Sequence, residues 1–254
     1  MIEGTYDFGR FLNNKRPFSL LMGRIGFVDA WRGLAVLMMI AYHFIFDLGY
    51  LGLARIDLEF LPLLLFQRAT GGSFLLLAGI SIWLSEARGK SLERRLQRFL
   101  KLALVALGIT LGTWIYPHEG FITFGIIHLM ALSALIGPVF IGTGGWGAAA
   151  GLLLLVIGSL PPGLSSDSPY LFWLGLPDPA YTALDYYPVI PWFGMVLLGI
   201  FLGRRFFPSG ESAIALPGAP LQKPLEWIGR NSLAIYLVHQ PVLIAGLILY
   251  QQLS

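Results

Sequence analysis

The stretch VDAWRGLAVLMMIAYHFIFDLGY, residues 28 to 50, is apolar over a length that crosses a membrane, yet it carries Asp29, Arg32, His43 and Asp47. A spanning helix needs roughly 20 mainly apolar residues. Seven runs meet or approach that length: about 27 to 49, 60 to 84, 97 to 116, 121 to 141, 146 to 160, 187 to 203 and 228 to 248. The expected fold is an all-α polytopic transmembrane bundle of about seven spanning helices. The fifth run is short and glycine-rich, and losing it would reverse the side of everything after it. Composition agrees with the runs: 56% of residues are hydrophobic and only 12% charged, a balance that soluble domains rarely approach.

Charge sets the orientation. Arg10, Lys15, Arg16 and Arg24, then Arg88, Lys90, Arg94, Arg95, Arg98 and Lys101, then Arg204, Arg205, Lys223 and Arg230 fall on one side if the N-terminus is cytoplasmic. Only Arg55 among the loop cations falls on the other, and cytoplasmic loops are the ones enriched in Lys and Arg. The expected organisation is a cytoplasmic segment at 1–26 and one transmembrane domain at 27–250. An extracytoplasmic loop at 161–186, rich in proline and aromatic residues, can serve as a lid or rest as an ordered loop. No removable signal peptide is expected, because the first apolar run is full length and lacks a small-residue cleavage site. The net charge of +3 sits in short clusters between apolar runs, so it speaks for topology and against nucleic acid. The absence of cysteine excludes disulfides, thiolate metal sites and an acyl-cysteine intermediate.

The ionisable residues inside the runs carry the functional argument. Charge in hydrocarbon is costly, so such residues turn toward the protein interior or a wet cavity. Arg32 and His43 are eleven residues apart, about three helical turns, and share one face about 16 Å apart along the axis. Asp47, four residues beyond His43, lies on that face too. Counting the rise per residue places His43, His128, His239 and Arg68 in the outer half of the membrane. Arg32, Arg98, Lys101, Arg204, Arg205 and Arg230 gather near the cytoplasmic surface. An imidazole layer above a cationic mouth suits two demands. Guanidinium groups hold phosphate bidentately and stay charged, while a neutral histidine is a fitting general base for an amine or hydroxyl. Asp47 is expected to hold the His43 ring in its useful tautomer, as the acidic member of a triad does. Acyl transfer from coenzyme A across the membrane asks for both ends.

These residues resemble a known group. The motif VDAWRGLAVLMMIAYH, with its Asp-x-x-Arg-Gly context and ten residues between Arg and His, is similar to that of membrane acyltransferases, and WIGRNSLAIYLVHQP at 227 to 241 resembles their terminal helix. GGSFLLLAGISIWLSEARG, FGIIHLMALS and YPVIPWFGMVLLGIFLGRRF resemble the bacterial and archaeal relatives of heparan-alpha-glucosaminide N-acetyltransferase, within the transmembrane acyltransferase superfamily. The resemblance covers about residues 24 to 248. It implies acetyl-CoA or another acyl-CoA entering from the cytosol, and an acceptor amine or hydroxyl, often on a sugar or glycan, on the far side. It implies His43 as base and Arg32 as the motif arginine. In the lysosomal heparan branch an asparagine occupies the position of His43 and the essential histidine lies in the lumenal loop. The matching stretch LGYLGLARIDLEF has no histidine. The site is therefore closer to that of the type 3 acyltransferases, and glucosaminide specificity does not transfer.

The expected catalytic set is His43, Asp47, His128 and Arg32, with Arg68, Arg98, Arg230, Asn231, Tyr236 and His239 on donor or substrate. Structural roles compete at several positions: Arg32 can pair with Asp29 three residues earlier, Arg68 with Asp47, and a lone histidine such as His128 can bond a carbonyl across helices. The expected partners are acyl-CoA, a sugar or glycan acceptor and the bilayer, in the cytoplasmic membrane of a prokaryote; a homodimer stays open. No metal is expected, since no two histidines share a helix at ligand spacing and His-Glu-x-x-His is absent. The alternative function is a transporter of small acyl- or sugar-bearing solutes, against which stands the lack of a detectable internal repeat.

Overall fold

The computed structural model describes residues 25–89, 91–160, 165–210 and 221–253. The cations expected in the cytoplasmic segment, Arg10, Lys15, Arg16 and Arg24, and Lys90 in the first basic loop lie outside the described residues. Among the described residues eight α-helices form: α1 Gly26–Tyr50, α2 Leu61–Ala87, α3 Leu92–Ile115, α4 Ile126–Ile136, α5 Gly145–Ser159, α6 Val189–Phe206, α7 Gln222–Arg230 and α8 Ser232–Leu253. A 3₁₀ stretch, Gly137–Thr143, extends α4, and no strand forms among the described residues. Among the described residues, six helices are long and apolar enough to cross a membrane, counting α4 with its extension. The chain is a multi-pass membrane protein.

The fifth run folds as α5, at 15 residues shorter than the six helices of membrane-spanning length. It pairs antiparallel with α6 along its length: Gly144 faces Arg204, Gly151 faces Gly194, and Gly158 faces Pro191. The helix therefore reverses the chain's direction as the seven-run reading requires. Two other boundaries differ from the apolar runs. The run at 228 to 248 divides at Asn231, with amphipathic α7 before it and α8 after it. The run at 121 to 141 is helical only from Ile126, and the segment before it bonds laterally to the loop before α6: Leu184 N–H donates to Gly120 O at 2.7 Å and Tyr187 N–H to Phe124 O at 3.0 Å.

Helix α2 is the axis of the bundle. It packs on α6, α1 and α4, and buries Leu75 and Leu77 together with Val196 of α6 and Leu129 of α4. The α2–α6 crossing is a glycine contact: a Cβ on Gly199 would meet the Leu76 carbonyl and lie 3.0 Å from Gly79 Cα. Small residues allow this backbone approach, and packing is the main attraction available between helices in lipid. Gly199→Val is expected to cost at least about 1–3 kcal/mol by overpacking. Thermal unfolding in detergent checks it; an unchanged midpoint would show that the crossing is loose.

The ends of the elements fix the polarity. Trp83 donates to Phe207 O at 2.9 Å and Arg88 to Gly210 O at 3.0 Å. Ile25, Val28, Leu84 and Phe207 share one small core, and Gly33 of α1 lies against Leu225 of α7. The start of α1, the ends of α2 and α6, and α7 therefore meet at one end of the bundle. Arg32, Arg88, Arg204, Arg205 and Arg230 lie on those segments.

Candidate active site

A cavity of about 1300 Å³ runs through the bundle between α1, α2, α3, α4 and α8. At the cationic end it is lined by Asp29, Arg32, Arg88, Arg98, Lys101 and Arg230; farther along by His43, Asp47, Thr70, Tyr236, His239 and Gln240; and at the opposite end by Tyr50, Tyr116, Leu184 and Asp185. Arg32 and His43 thus open on one space, as their eleven-residue spacing predicts. The lining residues of α1, from Asp29 and Arg32 through Met39 and His43 to Asp47 and Tyr50, form one helical stripe.

The two inner histidines face each other. The rings of His43 and His239 are 4.8 Å apart between centroids and nearly perpendicular. His43 Nδ1 lies 2.9 Å from Met39 O, and His239 Nδ1 lies 2.6 Å from Tyr236 O. A carbonyl only accepts, so both Nδ1 atoms carry the proton and both Nε2 atoms keep a lone pair. His239 Nε2 is buried and has no hydrogen-bond partner among the described residues. Backbone carbonyls one turn earlier therefore set both tautomers. The tautomer-holding role expected of Asp47 falls to Met39 instead. Asp47, 1% exposed, accepts from Gln240 Nε2 at 2.7 Å and links α1 to α8.

At the other end, Arg32 donates to Asp29 at 2.8 Å and to Ser81 Oγ at 3.0 Å. Its pairing with Asp29 is the structural contact that the sequence allowed, and it aims the guanidinium at the cavity rather than removing it. Arg230 pairs with Glu226 at 2.7 Å and Asp29 at 3.4 Å. Arg98 is different. It faces the like charge of Arg32 and makes no hydrogen bond or salt bridge among the described residues. Arg32 of α1 and Arg98 and Lys101 of α3 line this end of the cavity together.

Three expected site residues lie elsewhere. Arg68 is exposed and off the α2 stripe that lines the cavity through Gln67, Thr70, Gly71 and Phe74, so the pairing with Asp47 does not occur. Asn231 is exposed and donates to Trp227 O at 2.8 Å, closing α7. His128 caps α4: Gly125 N–H donates to Nδ1 at 3.2 Å, and Nε2 lies 3.0 Å from Thr110 Oγ1, which donates to Ile122 O at 2.7 Å. Both of its ring nitrogens are engaged, and it is not on the cavity wall. Trp173 and Tyr170 are exposed and Phe172 stacks on Tyr181, none of them on the cavity wall.

Sequence reasoning missed Gln240 and Asp185. Gln240 is signalled only by its place beside His239. Asp185 reads as a loop acid, yet its carboxylate lines the cavity and accepts from Ile126 N–H at 3.0 Å, at the start of α4. Burial pushes its carboxyl up to about 6, against the hydrogen bond from Ile126. The same burial, with the charge of Asp185 adding to it, raises the Tyr181 and Tyr187 hydroxyls above their usual range. Because the Asp185 carboxyl holds its proton more tightly in the folded chain, its contribution to stability is complete below the ordinary carboxylate pKa of 3.8 and is lost as pH rises through about 6. Asp185→Asn keeps an acceptor for Ile126 and removes the charge. It is expected to raise thermal stability at pH 8 relative to the parent and to match it at pH 4; a lower midpoint at pH 8 would contradict this.

A bundle of membrane-length helices around a two-ended polar cavity defines the class: a multi-pass membrane protein with an interior site. The family model described as heparan-alpha-glucosaminide N-acetyltransferase, catalytic, matches residues 24–241. The chain belongs to that family, and membership implies a membrane acetyltransferase. No curated protein and no solved structure matches the chain significantly.

Proposed function

We propose that the protein moves an acetyl or other short acyl group from cytosolic acyl-CoA to an amine or hydroxyl, on a sugar, presented at the opposite membrane face. The observation that carries this reading is the pairing, within one cavity, of an Arg98 that has no counter-charge among the described residues at one end and a His43 with no described partner on Nε2 farther in. The donor's phosphates lie against Arg98, Arg32 and Lys101, which remain charged and supply directional donors. Its pantetheine arm follows the cavity toward the histidines. Family membership supports the acetyl donor.

His43 Nε2 takes the proton of the acceptor hydroxyl or amine as that atom attacks the thioester carbonyl. The new C–O or C–N bond forms, the C–S bond breaks, and the imidazolium returns its proton to the departing thiolate. Free CoA and acylated acceptor result. Met39 O keeps the other ring nitrogen protonated throughout, and His239 packs the ring edge-on and holds its plane. Asp47 and Gln240 tie α1 to α8 at this level, so they position the histidine pair without touching its nitrogens.

The test is incubation of purified protein with labelled acetyl-CoA and a panel of sugars and amino sugars, beside calorimetry of donor binding. Saturable donor binding with transfer of label is expected. Saturable uptake of solute into proteoliposomes without donor binding would favour a transporter and overturn the reading.

A further inference from the structure

Among the described residues, the wall of the cavity has one break. Helices α8, α1, α2, α4 and α3 surround it, and each packs against the next. The ring does not close: no Cα of α3 lies within 8 Å of any Cα of α8, and α4 is the one helix that α3 meets at that range. Both helices nevertheless face the cavity, with Val105, Ile109 and Gly112 on one side of the gap and Ile244 and Ile248 on the other. A Cβ placed on Gly108 or Gly112 would meet nothing within 4 Å. The gap is bounded by two helices long and apolar enough to cross a membrane. No Asp, Glu, Lys or Arg occurs at 102–116 or at 232–253. The slot is apolar, while the chamber behind it is polar.

We propose that this slot admits the acyl acceptor sideways from the bilayer, and that the acceptor is an amphipath: a hydroxyl- or amine-bearing sugar head carried on a hydrocarbon chain. The proposal rests on the acyltransferase reading above and names the acceptor class for the same site. The head reaches the His43 side of the cavity, where polar groups can pair with its hydroxyls. The chain stays in the slot, whose uncharged walls offer it contact at no desolvation cost. A free sugar gains nothing from those walls, since buried hydroxyls without partners are unfavourable. A second copy of the chain inserting a helix is the competing occupant.

The chain has no cysteine, so single cysteines can be labelled with bimane in the full-length protein. In vesicles of brominated-chain phosphatidylcholine, bimane at Gly112→Cys, facing the cavity, is expected to be quenched to within about twofold of Leu111→Cys on the lipid side. It should be quenched several-fold more than Glu119→Cys in the water-exposed loop. Quenching at Gly112→Cys no greater than at Glu119→Cys would overturn the proposal, as would a disulfide between two copies at Gly112→Cys. In the same vesicles, transfer of label from acetyl-CoA to dodecyl glucoside or dodecyl glucosaminide is expected to exceed transfer to glucose or glucosamine at least tenfold in kcat/KM. Equal rates would also overturn it. Donor binding is measured in parallel: its absence would remove the acyltransferase reading, whereas the quenching result bears on the slot alone.

Discussion

Replacing His43 by alanine is expected to lower acyl transfer by about 10²–10⁴-fold, the range a positioned general base contributes, while the fold and donor affinity stay unchanged. The structure gives the reason for separating the two effects. Met39 O holds Nδ1 and leaves Nε2 with its lone pair toward the cavity, and the ring's contact with α8 is the edge-on packing against His239. The bridge between α1 and α8 at this level runs through Asp47 and Gln240, which the substitution leaves in place. Measurement of turnover and donor binding on the same detergent-purified preparation checks the claim. Turnover within a few-fold of the parent would mean that another group takes the acceptor proton.

Arg98→Ala should act at the other end of the cavity and on the other parameter. Hydrogen bonds to charged groups contribute about 1.5–3 kcal/mol, so donor affinity is expected to fall by about 10–100-fold. The rate at saturating donor should change little, because Arg98 binds phosphate in ground state and transition state alike. Arg32 is tied to Asp29 and Ser81, and its loss would mix binding with packing, so Arg98 is the cleaner probe. Affinity for the parent should weaken with salt and that of the variant less so. An unchanged donor dissociation constant, read by calorimetry, would remove the cationic wall from the donor site.

The helices were legible because lipid permits few alternatives: a long apolar run must satisfy its own backbone groups, and α1, α2, α3 and α6 follow the runs closely. The break at Asn231 falls in the short polar stretch Gly229-Arg230-Asn231-Ser232, which an apolar run of membrane length can absorb, and α7 before it is seated on α1 with Gly229 against Asp29 O. The first helix yielded its site because two residues in phase on one helix fix a direction as well as a depth. Arg68 and His128 were placed by depth alone, and depth says nothing of which way a side chain points. One lies off the α2 stripe and the other turns back to cap its own helix. Asp185 was hidden for a related reason, because its place on the cavity wall comes from the pairing of two loops distant in sequence.

The central claim is that one donor molecule bridges the guanidinium wall and the imidazole pair. Bromoacetyl-CoA carries an electrophile where the acyl group sits, and mass spectrometry of the alkylated protein locates the side chain it reaches. The predicted adduct is on His43, blocked by excess CoA and formed much more slowly in Arg98→Ala. Alkylation that spares His43, or that proceeds on it at an undiminished rate without Arg98, would contradict the account.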